Sequence, residues 1–111
     1  MLAQSQTAVL ERNKTFSGDF VTEPFEVAWA REGRFFVRTL AREGGAILEM
    51  HPEVSPDGLT WVDLAGAEYP VGNVPLASWP IREFGHWIRL RAAFLGEPTT
   101  VKLIIYLALK D

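Results

Sequence analysis

Ser55-Pro56-Asp57-Gly58-Leu59-Thr60-Trp61 is the stretch that decides the fold, because it predicts a turn between two strand-like segments. Ser at the first turn position, Pro with its fixed φ at the second, Asp at the third and Gly with access to positive φ at the fourth describe a type I turn. The flanking segments, residues 46–54 and 61–64, have the composition of strands. The stretch therefore predicts a β-hairpin.

Turn residues recur along the whole chain and separate short segments rich in Val, Ile, Phe and Trp. This spacing is typical of an all-β sandwich or barrel. We expect strands at residues 7–12, 20–30, 34–41, 46–54, 60–64, 68–71, 86–94 and 99–110. About eight antiparallel strands match a jelly roll. The sequence thus predicts one all-β domain over residues 1–111, an antiparallel β-sandwich of the jelly-roll type.

The last strand is apolar on both sides. Alternate residues from Val101 to Leu109 predict a core-facing side, but Ile104 and Tyr106, on the other side, are apolar as well. An exposed strand of this composition would invite edge pairing and aggregation. Either the strand is central or a partner covers it. We expect the side with Ile104 and Tyr106 to be buried by a loop, the N-terminal segment or another subunit, and we assign these two residues to an interface.

Composition excludes several classes of function. The chain has 111 residues, no Cys and a net charge of −3, so disulfides, thiolate metal sites and a basic surface for nucleic acid are not expected. Residues 1–6 lack the basic and apolar pattern of a secretion signal. The longest apolar run, residues 103–109, is far shorter than the ~20 residues that span a bilayer as a helix. We expect a protein that is cytoplasmic or assembled into a particle, with no membrane partner.

Glu49, His51 and Glu53 alternate along one predicted strand and so project from the same face. Carboxylates and an imidazole at this spacing suit a metal site or an acid-base pair. A solvated sheet face explains the same triplet, and we favour that interpretation.

Arginines also share faces of the predicted strands. Arg34, Arg38 and Arg42 have the same parity on the third strand, and Arg89 and Arg91 point outward on the seventh. One interpretation is an anion-binding face. The alternative is cross-strand pairing with the glutamates, which we favour because the acidic residues are numerous enough to neutralise them.

Trp79 is the candidate for ligand contact. It lies in residues 76–80, where Pro80 and the absence of visible alternation predict a loop at one end of the sandwich. An exposed indole there can stack on a sugar ring, with Arg82 and Glu83 as polar anchors. The alternative is that Trp79 caps the end of the barrel.

Motifs for catalysis are lacking. The chain has no Gly-x-Ser-x-Gly, no His-Glu-x-x-His and no Gly-rich phosphate loop. Pro56, Asp57 and Gly58 are explained by the turn. We therefore expect no enzymatic activity and no cofactor.

Two segments resemble known families. Residues 55–61 resemble the Ser-x-Asp-Gly-x-x-Trp hairpin of discoidin-like, galactose-binding-type jelly rolls, and residues 85–91 are similar to their later Arg-Tyr-Ile-Arg-Leu strand. The same segments, with residues 7–10 and 16–20, also resemble small β-sandwich proteins encoded near phage and prophage structural genes. This second resemblance implies a subunit of a particle or tail.

We expect a non-catalytic structural or assembly subunit that acts by protein–protein contacts. It would be homo-oligomeric and an accessory protein of a phage particle or tail-like structure. The alternative is a carbohydrate-binding module with an aromatic rim, whose partner is a glycan. A metal-dependent enzyme at Glu49, His51 and Glu53 is a third alternative.

Overall fold

The computed structural model describes residues 4–111, and this part of the chain is all-β. Residues 1–3, which belong to the segment without a secretion pattern, lie outside the described residues. The strands are β1 (Ser5–Phe16), β2 (Phe20–Val21), β3 (Phe25–Glu26), β4 (Glu32–Glu43), β5 (Ile47–Ser55), β6 (Val62–Asp63), β7 (Tyr69–Val71), β8 (Leu76–Arg82), β9 (Trp87–Leu95) and β10 (Thr100–Lys110). Within residues 4–111, no helix has the length and apolar character needed to cross a membrane.

The strands form two antiparallel sheets. Sheet A has four strands in the order β1-β10-β4-β8. Sheet B has six strands: β2-β9-β5-β6 form its path, β3 also pairs with β9, and β7 also pairs with β5. Because β2 and β3 share one partner and β6 and β7 share another, the ten segments occupy eight positions. The predicted all-β antiparallel sandwich is confirmed.

The pairing follows the winding of a jelly roll. The first and last of the eight positions pair, β1 with β10, and the next pair inward is β2 and β3 with β9. Then β4 pairs with β8, and β5 pairs with β6 and β7. The chain is thus one long hairpin that is folded over, so that each of its two arms contributes strands to both sheets. The predicted strand at residues 20–30 is divided because Thr22 bonds to Leu90 through both its backbone N–H and its hydroxyl, and Pro24 follows it.

The core lies between the sheets and is built by alternating residues of the long strands. On β10 the five residues predicted to face inward are all buried: Val101, Leu103, Ile105, Leu107 and Leu109. On β9, Ile88, Leu90 and Ala92 are buried, as expected, and Phe94 packs against the cluster from its edge. Apolar burial of this kind is the main stabilising term of a chain without disulfides.

The hairpin that decides the fold is present, and Gly58 at the fourth turn position has the positive φ that was expected. Val54 and Val62 are register partners, so β5 and β6 pair as expected. Gly58 has φ +80 and its N–H donates to the Ser55 hydroxyl at 2.8 Å. Asp57 Oδ1 accepts the N–H groups of Leu59 and Thr60 at 2.8 and 3.1 Å. Side-chain oxygens therefore hold this turn, since they compete well with backbone acceptors in loops.

The loop predicted at residues 76–80 is wrong. These residues belong to strand β8, which pairs with β4 along its whole length. Ala77, Trp79 and Ile81 are buried, and the residues between them face outward. Pro80 is compatible with the strand because β8 is the edge of sheet A.

Candidate functional site

The outward side of sheet A forms one continuous surface, which we call face A. It consists of the side chains that alternate with the buried residues of β1, β4, β8 and β10. Its central row crosses four strands through the register partners Val9, Tyr106, Phe36 and Ser78. The adjacent rows are Ile104, Arg38 and Leu76 on one side, and Ala108, Arg34 and Pro80 on the other. Face A therefore has an apolar centre with two aromatic rings.

The arginines of face A are not neutralised. Among residues 4–111, no carboxylate lies within ion-pair distance of Arg34 or Arg38. The favoured pairing of these residues with glutamates is therefore wrong. The reason is register: the neighbours of Arg34 are Ala108 and Pro80, and those of Arg38 are Ile104 and Leu76. Their guanidinium groups are left for solvent or a partner.

Arg42, the third arginine of the predicted set, has a structural role. Its Nε donates to the carbonyl of Gly44 at 3.0 Å, and its Nη2 donates to the carbonyl of Ala46. Thr99 completes this turn, because its hydroxyl accepts the N–H of Ala46 at 2.9 Å. Arg42 thus fixes the connection between β4 and β5 and is not part of an anion site.

Two grooves lie on face A, on either side of its aromatic centre. One, of about 320 Å³, has Phe36, Pro80 and Ala108 among its apolar residues and Arg34, Arg82 and Lys110 among its charged ones. The other, of about 260 Å³, is lined by Val9, Arg12, Asn13, Ile104 and Tyr106. Lys110 Nζ is 3.8 Å from Glu32 Oε1, which leaves the first groove with an excess of positive charge.

Ile104 and Tyr106, the predicted interface residues, are half-buried. Neighbouring strands account for this burial, because β10 lies between β1 and β4 in the middle of sheet A. Their outward surfaces contribute to the second groove. Their interface role stays a prediction, and face A is where it would operate.

The outward side of sheet B, which we call face B, contains an ion-pair network. Glu53 accepts from Arg89 Nε at 2.7 Å and from Arg91 Nε at 3.2 Å, and only 11% of its side chain is exposed. The Arg89 guanidinium also lies over the ring of Trp61, 4.4 Å from the centroid. Cross-strand pairing is therefore confirmed for these two arginines.

The Glu49, His51 and Glu53 triplet does project from one face, as expected. His51 Nε2 is 2.7 Å from Glu49 Oε1, whereas Glu53 is held by the two arginines. Among residues 4–111, no group of three His, Cys, Asp or Glu side chains is placed to hold a metal ion. A carboxylate already bound by two cations is a poor metal ligand, so this arrangement supports an ion-pair role for Glu53.

Trp79 does not have the exposed ring expected of a sugar-binding residue. Its side chain is buried, stacked on Tyr69 at a centroid distance of 4.8 Å and packed against Phe35. Neither face of the indole is free for a pyranose. Arg82 lines the larger groove of face A, and Glu83 is exposed at the end of β8 with φ 57. The structure therefore separates Arg82 and Glu83 from the predicted aromatic contact.

Phe36 is the functional candidate that sequence reasoning missed. In Phe35-Phe36-Val37 the outer two side chains are buried, and the middle one shares the outward side of Arg34 and Arg38. Period-two alternation over residues 34–38 is the signal that would have identified it.

The two sheets differ in charge. The strands of sheet A contain eight basic residues: Arg12, Lys14, Arg34, Arg38, Arg42, Arg82, Lys102 and Lys110. They contain three acidic residues: Glu11, Glu32 and Glu43. The strands of sheet B contain four acidic residues, Glu26, Glu49, Glu53 and Asp63, and two arginines, Arg89 and Arg91. The molecule is thus polarised from a basic sheet to an acidic one.

Comparison with known proteins establishes the fold and no family. No protein-family profile matches the chain, and no curated protein sequence matches it significantly. The solved structure of the SPBc2 prophage-derived protein YomS is similar, with a TM-score of 0.63 and 10% identity, over 100% of this chain and 96% of that one.

Longer proteins contain the same fold as one part. The PBSX exported protein XepA is similar with a TM-score of 0.61 and 12% identity, and a chain of the infectious bursal disease virus Gx strain with a TM-score of 0.57 and 15% identity. The match covers 97% of this chain in both cases, but 36% of the XepA chain and 32% of the viral chain. Of the two resemblances noted from sequence, that to phage and prophage sandwich proteins agrees in fold with these structures; that to discoidin-like domains stays an expectation.

Proposed function

We propose that this chain is a non-catalytic β-sandwich subunit that acts by protein–protein contact, as a structural or accessory component of a phage-derived particle or tail-like assembly. Face A is its contact surface. The observation that carries the proposal is the pair of half-buried rings, Phe36 and Tyr106, flanked by the unpaired guanidinium groups of Arg34 and Arg38. Aromatic residues and arginine are the types enriched at the energetic centre of protein interfaces.

The fold supports the phage-derived part of the proposal. YomS is a prophage-derived protein by its name, and its chain matches this one over nearly its full length. XepA is a PBSX exported protein by its name, and the match covers 36% of its chain. Jelly rolls also occur as building blocks of viral capsids, where they act through their surfaces.

We expect the chain to form homo-oligomers through face A. Light scattering after size exclusion, over a dilution series, should give a mass above that of one chain that decreases on dilution. The double variant Phe36→Ser/Tyr106→Ser should elute with the mass of one chain, because the apolar centre of face A is removed. Leu59→Ser is the matched control, since Leu59 is 83% exposed on the hairpin loop, away from face A.

A wild-type protein that remains a single chain at millimolar concentration would overturn this proposal. So would a double variant that assembles as the wild type does while retaining its far-ultraviolet circular dichroism.

The carbohydrate-binding alternative has less support. The indole proposed to stack on a sugar is enclosed by Tyr69 and Phe35. Binding of a glycan by wild-type protein on an array, lost in an Arg82→Ala variant, is the result that would restore it.

A further inference from the structure

The charges of the two outer faces limit how copies of this chain can meet. On face A, Arg34 and Arg38 have no acidic partner within the described part of the chain. On face B, the Glu49 and Asp63 side chains are 38% and 58% exposed, and each contacts a base through one of its two oxygens, His51 for Glu49 and Arg91 for Asp63. The net charge of the chain is −3, so the excess of base in sheet A is outweighed by acid elsewhere on the surface.

A symmetric contact of face A with itself is unfavourable. A two-fold interface places the same patch on both subunits, so the arginines of one copy would meet those of the other. Like charges brought together in a desolvated contact repel strongly, because the effective dielectric constant is lower there than in water.

We infer that the assembly is head to tail, with face A of one copy docked on face B of the next. This inference rests on the proposed function and adds the orientation and the chemistry of the contact. The occupant of face A is a second copy, which presents carboxylates to Arg34 and Arg38. Face B also offers apolar area, since its register partners Ile47 and Leu95 are 49% and 48% exposed.

The size of the molecule is compatible with this contact. A specific interface needs about 800 Å² from each partner. The described residues have a total accessible surface of 6469 Å², and the molecule measures 47 × 27 × 21 Å. One outer sheet face can supply that area. Because the contact uses two different surfaces, each added copy leaves one of each free, so the product is a closed ring or an extending filament.

Two variants test the orientation. Arg34→Glu/Tyr106→Ser disables face A but leaves face B intact. Glu49→Lys/Asp63→Lys disables face B but leaves face A intact. The disabled faces should not pair with each other, because sheet A remains basic in the first variant and face B becomes basic in the second. Arg31→Glu and the double variant Glu23→Lys/Glu97→Lys, at exposed loop positions, are controls with the same changes of net charge.

The expected result is that the wild type and both controls assemble, that each double variant alone has the mass of one chain, and that an equimolar mixture gives a dimer with one copy of each. Raising the salt concentration from 0.05 to 0.5 M should weaken wild-type association about tenfold, since exposed charges are screened.

Two outcomes would overturn the inference in distinguishable ways. If the wild type assembles but the mixture remains two single chains, or salt leaves the association unchanged, the contact is not head to tail and the proposed function stands. If the wild type is a single chain at every concentration, both the head-to-tail inference and the proposed function are wrong.

Discussion

Phe36 and Tyr106 are register partners at the centre of face A, and both rings are half-buried on the outward side of sheet A. A cross-strand aromatic pair contributes about 0.2–1 kcal/mol to the stability of a sheet. Their position therefore suits contact with another chain more than support of the core, where Phe35 and Val37 lie.

The stability of Phe36→Ser tests this distinction. We expect its free energy of unfolding, measured by urea denaturation at a dilution where the protein is a single chain, to fall by about 1 kcal/mol. Phe35→Ser, one residue away but fully buried, should lose more than about 3 kcal/mol. Equal losses in the two variants would place Phe36 in the core and contradict the assignment of face A.

Glu53→Gln should destabilise the protein by about 2–3 kcal/mol, because Arg89 and Arg91 would lose their shared carboxylate in a mostly desolvated site. Glu49→Gln is the control. Its carboxylate is 38% exposed and contacts His51, and its replacement should change stability by no more than about 0.5 kcal/mol. Chemical denaturation of both variants at neutral pH measures the difference, and a Glu53 variant as stable as the Glu49 variant would show that the network contributes little.

Asp57 should make the protein sensitive to acid. The N–H groups of Leu59 and then Thr60, with the Ser55 hydroxyl, hold the pKa of the Asp57 carboxyl below its ordinary value. The charged form is therefore favoured in the folded state. Its stabilisation is fully present above the pKa of the unfolded chain, near pH 4, and is lost as the pH falls through the lower folded pKa.

Asp57→Asn should accordingly lose less stability than the wild type between pH 6 and pH 2.5, in urea unfolding measured at intervals of pH. Burial raises the pKa of Glu11, so protonation of Glu11 favours the folded state as the pH falls. This effect is the same in both proteins and does not alter their difference. If the free energy of unfolding falls equally with pH in the two proteins, the Asp57 charge does not stabilise the turn.

Gly44→Ala should destabilise the protein by about 2–4 kcal/mol, because a side chain would meet both backbone strain and a steric clash. Gly44 has φ +107, and a Cβ there would lie 2.5 Å from the carbonyl oxygen of Pro98. Gly66 is the matched control, since its φ is +77 but nothing lies within 4 Å of the added atom. Gly66→Ala should therefore lose only about 1–2 kcal/mol. Thermal or urea unfolding of the pair separates strain from clash, and equal losses would contradict the close approach of the two turns.

Local sequence predicted the fold well, because its determinants are local. The Ser-Pro-Asp-Gly turn, the alternation of Ile88, Leu90 and Ala92, and the doubly apolar last strand each depend on neighbours in sequence. Strand β8 is hard to predict because Pro80 is a loop signal in local sequence, although Ala77 and Trp79 alternate with outward residues. Proline in an edge strand removes no ladder bond where its nitrogen faces solvent, so its meaning depends on which strands are neighbours.

The candidate site was less predictable for the same reason. Whether Arg38 meets a glutamate depends on the strands that flank β4, and these are β10 and β8, distant in sequence. The pairing expected from composition holds for Arg89, whose register partner is Glu53, and fails for Arg38, whose partners are Ile104 and Leu76. The register between strands that are distant in sequence decides which arginines remain unpaired. Composition gives no information about that register.

The most direct test of face A as the contact surface uses a single introduced thiol, which the absence of native Cys makes unambiguous. Ser78→Cys places the thiol in the central row of face A, and Thr60→Cys places it on the exposed hairpin loop. The rate of reaction with a soluble thiol reagent is measured at low and high protein concentration. The account predicts that the Ser78→Cys thiol becomes protected as copies associate while the Thr60→Cys thiol reacts at a constant rate. Constant reactivity at Ser78→Cys in a sample that light scattering shows to be assembled would contradict it.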